Sequence, residues 1–148
     1  MCLLLKPKFW WWKPKKKGKK LNQSNTKKFI VVVKRDCPTC ELIEPALKQL
    51  TDQYQNDLVI YVQDDPSFPG SIEQKMDDTS LEFSYTHNIE IVPTLICFND
   101  DEEVERTFGW DKSEWQRLTG INSLGASLTN FKPGCGSKTQ DPGMEEQL

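Results

Sequence analysis

The stretch FIVVVKRDCPTCELIEPALKQL, residues 29–50, places an apolar run, two cysteines and a helical pattern directly after one another. The run 29–33 is rich in β-branched residues and predicts a buried strand. The apolar residues at 42, 43, 46, 47 and 50 recur at the spacing of an amphipathic helix. Pro45 lies inside this helix and should kink it. The two cysteines therefore fall at a junction between strand and helix.

Cys37 and Cys40 have the spacing of a redox-active dithiol. In such a site the first thiol, exposed at a helix N-terminus, attacks a disulfide as thiolate, and the second resolves the mixed disulfide. Unpaired backbone N–H groups and the helix dipole stabilise that thiolate. The pattern makes Cys37 the candidate nucleophile and Cys40 the resolver. The same spacing is half of a zinc site, but the flanking strand and helix favour the redox interpretation.

Further elements follow in an order that alternates strands and helices. A second apolar strand is predicted at Leu58–Val62, and a short helix is predicted at Ser80–His87. Residues 64–76 are polar and rich in turn formers, which predicts a solvated loop or, alternatively, a rim that selects partners. Pro93 stands at the start of an apolar strand, where a missing N–H does not interrupt the ladder.

These features resemble the thioredoxin family over residues 28–121. The resemblance lies in the dithiol, in Pro45, in Val92-Pro93-Thr94, in the last strand Glu103–Gly109 and in the helix Asp111–Leu118. It implies an α/β, thioredoxin-like fold in which helices flank a central mixed β-sheet. It also implies that Pro93 is cis and that Val92 and Pro93 dock an extended substrate beside the dithiol. The expected substrate-binding residues are completed by those next to the cysteines, Asp36, Pro38 and Thr39.

The sequence departs from the thioredoxin pattern at three places. Asp36 replaces the usual tryptophan before the first cysteine, and Val31 takes the place of a buried acid that helps to deprotonate the resolver. Asp36 opposes ionisation of Cys37, whereas Arg35 favours it. The Pro-Thr dipeptide between the cysteines is also unusual. The direction of electron flow, as reductase, oxidase or isomerase, therefore stays open.

Two segments of different character flank the expected domain. Met1–Lys28 carries ten lysines and no acidic residue, which leaves nine basic and 22 acidic side chains for the rest. Lysines mixed with Trp10–Trp12 suit weak contact with an anionic membrane surface, although a mobile tail is the simpler interpretation and specific nucleic-acid binding is not expected. We define a basic tail, 1–27, a domain, 28–121, and a flexible C-terminal tail, 122–148, and predict that both non-core tails are dispensable for folding.

The remaining cysteines and the one histidine need separate interpretations. Cys97 lies inside an apolar strand and should be a buried, inert thiol. Cys135, flanked by glycines in the C-terminal tail, could reach Cys37 as an extra redox thiol, or it could be inert. His87 should be a surface residue rather than a base or metal ligand, and Cys2 is incidental.

The composition and motifs leave three classes of function. The first is a thiol-disulfide oxidoreductase, most simply a reductase, that exchanges with protein disulfide clients and an upstream thiol reductant. The second is a thioredoxin-fold adaptor or redox sensor without turnover. The third is a metal protein whose Cys37 and Cys40 would need further ligands among Cys97, Cys135 and His87, although no second ligand pair is present. Without an export signal or membrane span, we expect a cytoplasmic monomer that needs no cofactor or metal.

Overall fold

The apolar run around Val31 becomes the centre of a mixed sheet. The computed structural model describes residues 27–140. The strands are β1 (Lys27–Val33), β2 (Leu58–Val62), β3 (Met76–Asp77), β4 (Ile91–Val92), β5 (Thr94–Asn99), β6 (Glu102–Phe108), β7 (Trp110–Asp111), β8 (Phe131–Lys132) and β9 (Cys135–Gly136). The α-helices are α1 (Pro38–Leu42), α2 (Glu44–Tyr54), α3 (Glu82–Thr86) and α4 (Lys112–Thr119).

The main sheet has five strands in the order β3-β2-β1-β5-β6. β1 pairs in parallel with β2 and antiparallel with β5, so the sheet is mixed as predicted. Val31, Val32 and Val33 are all buried, which shows that both faces of β1 are covered. A strand buried on both faces has an uninterrupted apolar sequence, and this explains the run that begins the motif.

Pro45 divides the predicted helix into two. α1 ends at Leu42 and α2 begins at Glu44, with Ile43 between them. Proline has no N–H to donate to the carbonyl four residues earlier, so the hydrogen-bond ladder is interrupted near this position. α2 resumes with Leu47 N–H donating to Ile43 O over 3.0 Å. Ala46, Leu47 and Leu50 then face the core.

The loop between β2 and α3 is less solvated than the sequence suggested. Phe68 and Ile72 from this loop are buried in the main core. The Glu44 carboxylate accepts hydrogen bonds from the N–H and the hydroxyl of Ser71 over 3.0 and 2.6 Å. The loop is therefore fastened to the domain. α3 spans Glu82–Thr86, inside the predicted range.

Residues 122–140, which the sequence assigned to a flexible C-terminal tail, pack against the domain. Leu124 is fully buried in the main core, and the Trp110 ring packs on Gly125. β7 pairs with β8, and β4 pairs with β9. The predicted domain boundary at residue 121 is therefore wrong, because the packed part of the chain continues beyond it. Sequence reasoning missed it because short strands and single buried residues leave no periodic pattern.

The predictions for the basic tail fall on residues 1–26, outside the part of the chain that the structure describes. The same holds for residues 141–148. Between residues 27 and 140, no helix has the length and apolar character needed to cross a membrane.

Candidate active site

The dithiol lies where β1 ends and α1 begins. Cys37 is the N-cap residue of α1, and its sulfur accepts a hydrogen bond from the backbone N–H of Cys40 over 3.2 Å. Pro38 follows at the first helical position, where a missing N–H interrupts no helical hydrogen bond. The C-x-x-C spacing thus places the second cysteine so that its backbone and thiol both face the first.

The surroundings of Cys37 lower the pKa of its thiol to about 6. The largest cause is a hydrogen bond from the Cys40 thiol, and burial opposes it. Further hydrogen bonds come from the thiol of Cys135 and from the backbone of Cys40 and Thr39. Hydrogen bonds to a thiolate favour the charged form. Cys37 is therefore largely a thiolate at neutral pH, a direction that the sequence left undecided.

The two partner thiols shift the other way. Burial, reinforced by the hydrogen bond to Cys37, raises the pKa of Cys40 well above its ordinary value. Burial also raises the pKa of Cys135, again with a contribution from Cys37. A cluster in which one thiol ionises easily and two do not has a defined nucleophile. The asymmetry gives that role to Cys37 and leaves Cys40 as the protonated partner.

The predicted docking residues lie beside the dithiol. The Val92–Pro93 peptide bond is cis, and both residues are buried. The sulfur of Cys37 is 3.8 Å from the carbonyl oxygen of Val92. The structure therefore brings together the dithiol and the segment that the resemblance had assigned to substrate docking.

That docking segment is paired with the protein's own C-terminal chain. β9 runs antiparallel to β4, with Cys135 opposite Val92. The sulfur of Cys135 is 2.8 Å from that of Cys37, and the hydroxyl of Thr39 donates to the carbonyl of Pro133 over 2.6 Å. Cys37 is only 1% exposed. The expectation of an exposed nucleophile is wrong, because this segment covers the dithiol.

A buried polar cluster, missed from sequence, holds the end of the C-terminal chain that covers the dithiol, at Ser137 and Lys138. The side-chain amide of Gln63 donates to the hydroxyls of Ser84 and Ser137, each over 2.8 Å, and its carbonyl accepts from Lys138 N–H over 2.9 Å. Gln63 and Ser137 are each 2% exposed. From sequence, polar residues outside regular elements are expected to be solvent-exposed. The cluster is therefore recognised only when the folded structure brings these residues together.

Asp36 is exposed, and a neighbouring carboxylate orders its backbone. Asp64 accepts from the N–H groups of Arg35 and Asp36 over 2.7 and 3.0 Å. Asp65 pairs with the Arg35 guanidinium at 2.8 Å. The hydroxyl of Ser67, followed by Arg35, lowers the pKa of Asp65 to about 2. These contacts fix the turn that leads from β1 into Cys37, with the Asp36 side chain at its rim.

The structure does not bring Cys97 or His87 into the site. Cys97 is buried in β5 opposite Phe29, at the end of β1 remote from the dithiol, and burial raises its pKa. His87 is half-buried rather than a surface residue, and its ring stacks on Phe83 with centroids 4.0 Å apart. Burial lowers the pKa of His87. Within residues 27–140, no group of three or more His, Cys, Asp or Glu side chains is arranged to hold a metal ion.

Comparisons with known proteins bear on the fold. No family model matches the chain, and no curated protein matches it. Among solved structures, the chain is similar to a secreted disulfide oxidoreductase from Mycobacterium tuberculosis, with 13% identity, 64% of this chain and 80% of that chain covered, and a TM-score of 0.52. It is also similar to a reduced thioredoxin pre-protein from Schistosoma mansoni, with 21% identity, 65% and 78% covered, and a TM-score of 0.48.

The arrangement of the sheet agrees with the first of these matches. A mixed sheet flanked by helices, with a dithiol at the end of β1, is what the sequence predicted. The low identities leave the activity of this chain to be argued from its own site. The chain has a thioredoxin-like fold.

Proposed function

We propose that the protein is a thiol-disulfide oxidoreductase that acts on protein disulfides through a Cys37–Cys40 dithiol/disulfide cycle. One observation carries the proposal: Cys37 caps α1 with a pKa of about 6, whereas the pKa of the adjacent Cys40 is raised. A thiolate beside a protonated thiol is the arrangement that disulfide exchange requires, because the first attacks and the second completes the reaction.

In this cycle two thiols of the protein reduce one client disulfide. The Cys37 thiolate carries the attack and forms a mixed disulfide, and one client sulfur leaves. Cys40 loses its proton and attacks the Cys37 sulfur, which releases the second client thiol and forms the Cys37–Cys40 disulfide. An upstream thiol reductant then restores the dithiol. No cofactor or metal takes part in these steps. Asp36, Pro38, Thr39, Val92 and Pro93 are the proposed substrate-binding residues around the dithiol.

Reduction is the direction that we propose. A strongly stabilised thiolate makes the corresponding disulfide strongly oxidising. In oxidases of this kind the pKa of the nucleophilic cysteine is about 3.5, whereas in reductases of this fold it is about 7. The value of about 6 for Cys37 lies nearer to the reductases. A monomer in the cytoplasm, where thiols are kept reduced, fits this direction. The basic tail would add at most a weak contact with anionic membrane surfaces.

Reduction of insulin disulfides with dithiothreitol as electron donor tests the proposal. We expect turnover by the wild-type protein and none by Cys37→Ser, because the exchanging sulfur is gone. Cys97→Ala is the matched control, since this cysteine is buried away from the site, and it should retain wild-type activity. Full activity of Cys37→Ser would contradict the proposal.

The burial of Cys37 supports a second candidate, an adaptor or redox sensor that does not turn over. In that case oxidation of the dithiol would change the binding of a partner protein instead of passing electrons to clients. The insulin assay separates the two. Absence of turnover by the wild-type protein, with the dithiol intact by thiol titration, would favour the sensor.

A further inference from the structure

The segment from Lys132 to Ser137, here named the covering segment, lies on the dithiol in the manner of a docked peptide. Its Cys135 pairs with Val92, and its Ser137 N–H donates to Glu90 O over 3.0 Å. The sulfurs of Cys135 and Cys37 lie 2.8 Å apart, a contact distance from which bond formation needs only a short further approach. The chain has therefore placed one of its own thiols where a client sulfur would react.

The two sulfurs differ in access from outside. Cys37 is 1% exposed, whereas Cys135 is half-buried and lies between the exposed residues Pro133 and Gly136 and a half-buried Gly134. The sulfur that reacts best thus belongs to an enclosed residue, whereas the sulfur in contact with it belongs to a residue that solvent partly reaches. An external thiol meets Cys135 before it can meet Cys37.

The covering segment is held on both sides. Before it, Trp110 Nε1 donates to Thr129 O over 2.7 Å; after it, Ser137 is bonded to Gln63. Gly134 fits so closely that a Cβ there would lie 2.6 Å from both Val92 O and a methyl group of Ile91. Displacing the segment would break these contacts together. Exchange through Cys135 leaves them in place.

We propose that Cys135 is a third redox-active thiol, through which external thiols and disulfides exchange with the enclosed Cys37–Cys40 pair. The inference rests on the proposed function and adds the route by which electrons reach the dithiol. Cys135 then belongs to the reacting atoms themselves, and the covering segment is a fixed part of the site.

The exchange needs no reactant beyond thiols and disulfides. In the oxidised protein the Cys135 thiolate attacks the Cys37 sulfur; the Cys37–Cys135 bond forms, the Cys37–Cys40 bond breaks, and Cys40 takes up the proton that Cys135 lost. An external thiolate then attacks the accessible Cys135 sulfur, and Cys37 leaves as thiolate. A second external thiol attacks the external sulfur of this mixed disulfide, which yields an external disulfide and free Cys135. Two external thiols have thereby reduced the site by two electrons.

Chemistry favours attack at Cys135 in the second step. Exchange is faster when the leaving thiol ionises easily and when the attacked sulfur is accessible. Cys37 is the more acidic thiol, and Cys135 is the more accessible one. The same steps in reverse carry electrons from the reduced site to a client disulfide. In this route the client's mixed disulfide forms first at Cys135, which passes the exchange to Cys37, whereas in the direct cycle it forms at Cys37.

Disulfide mapping tests whether the Cys37–Cys135 bond forms. We expect Cys40→Ser, oxidised with glutathione disulfide, to form mainly a Cys37–Cys135 disulfide. Without reduction, trypsin would then yield residues 36–48 joined to 118–138, while Cys97 stays in the separate peptide 76–106. Adding Cys97→Ala should change nothing. A glutathione adduct on Cys37 with no joined peptides would overturn the proposal.

Reduction kinetics test the route. The oxidised protein is mixed with reduced glutathione, and loss of the disulfide is followed by quenched alkylation and mass spectrometry. We expect Cys135→Ser to be reduced at least about tenfold more slowly than wild type, because the accessible sulfur is missing. Adding Gly134→Val should restore most of the rate, because its side chain lifts the covering segment from Val92 and exposes Cys37.

Gly136→Ala in the same Cys135→Ser background is the matched control, since a Cβ at Gly136 meets no atom within 4 Å. It should remain slow. Circular dichroism checks that each variant is folded, and disulfide mapping of Cys40→Ser provides an arm that does not depend on Gly134. A Cys135→Ser protein reduced as fast as wild type or faster would show that the segment only obstructs the site, which would overturn the relay.

The two proposals fail in different ways. If the dithiol is not redox-active, the wild-type protein shows neither insulin reduction nor exchange with glutathione, and the relay falls with it. If only the relay is wrong, wild type and Cys135→Ser reduce insulin equally well and Cys37→Ser does not.

Discussion

The chemistry of the site depends on how three sulfurs share hydrogen bonds. Cys37 accepts from the Cys40 thiol, the Cys135 thiol and the Cys40 backbone, and each of these contacts favours its thiolate. Burial, together with the hydrogen bonds to Cys37, raises the pKa values of the two donor thiols. Burial works against the Cys37 thiolate, so the hydrogen bonds outweigh desolvation. Ionisation of one cysteine is therefore a property of the cluster.

Replacing the main donor tests this balance. Cys40→Ala should raise the pKa of Cys37 from about 6 toward its ordinary value, because the largest stabilising hydrogen bond is lost. Cys40→Ser keeps a hydroxyl donor and should move the pKa less. Ultraviolet absorbance of the thiolate across pH measures both in the reduced proteins. Equal pKa values in Cys40→Ala and wild type would show that the Cys40 thiol does not stabilise the anion.

Acid pH should slow the reaction for the same reason. The Cys37 pKa is lowered, so its thiolate is present above pH of about 6 and is lost as pH falls through that value. Single-turnover reduction of a disulfide peptide should therefore decline below pH of about 6 and vary less with pH above it. A decline that is centred near the ordinary thiol pKa would contradict the assignment.

At the scale of elements, the segment after α4 is fixed by close contacts of glycines with aromatic rings and backbone. Gly125 has φ +63°, and a Cβ there would lie 2.6 Å from two ring atoms of Trp110. Its N–H donates to the side chain of Gln49 over 2.8 Å. Gly120, at the end of α4, has φ +76°, but a Cβ there would meet no atom closer than the Tyr54 hydroxyl oxygen at 4.0 Å. The two positions share a backbone conformation and differ in packing.

That difference predicts two sizes of effect. Gly120→Ala should lower the free energy of unfolding by about 1 kcal/mol, the conformational cost of a left-handed alanine. Gly125→Ala should lower it by a further 1–3 kcal/mol or so, because the methyl group must displace the Trp110 ring. Urea denaturation of both variants measures the difference. Equal losses would show that the ring moves aside without cost.

At the scale of the whole molecule, the domain extends to the last residues that the structure describes. Leu124 fills part of the core, the Trp110 side chain is hydrogen-bonded to the carbonyl of Thr129, and Ser137 is hydrogen-bonded to Gln63 in the buried polar cluster. These contacts fix the chain to the domain both before the covering segment and at its end. The site is therefore complete only when the chain beyond residue 121 is folded onto it.

Truncation after Ile121 should consequently destabilise the protein, contrary to the expectation from sequence. Loss of Leu124 alone should lower the free energy of unfolding by about 2–5 kcal/mol, the range for removing a buried leucine side chain. Leu124→Ala in the full chain isolates this contribution. Thermal or urea denaturation of both proteins is the measurement. If the truncated protein is as stable as wild type, the residues after Ile121 add no stability and the domain is complete without them.

The sequence by itself determined the sheet centre and the dithiol. A continuous apolar run, a C-x-x-C pair and a proline inside a helical pattern are local signals, and each follows from rules that act over a few residues. β1, the α1–α2 break and the position of Cys37 were therefore predicted. Cys97 was also identified correctly as buried, because its strand is apolar throughout.

Only the tertiary structure decided which residues enclose the site. Gln63, Leu124, Gly134 and Cys135 are distant in sequence from the dithiol, and none belongs to a periodic pattern. Their roles depend on a chain reversal that brings β9 beside β4. The acidity of Cys37 was undecided because it depends on three-dimensional contacts. The largest is the hydrogen bond from the Cys40 thiol, burial opposes it, and a further hydrogen bond comes from Cys135, 98 residues away.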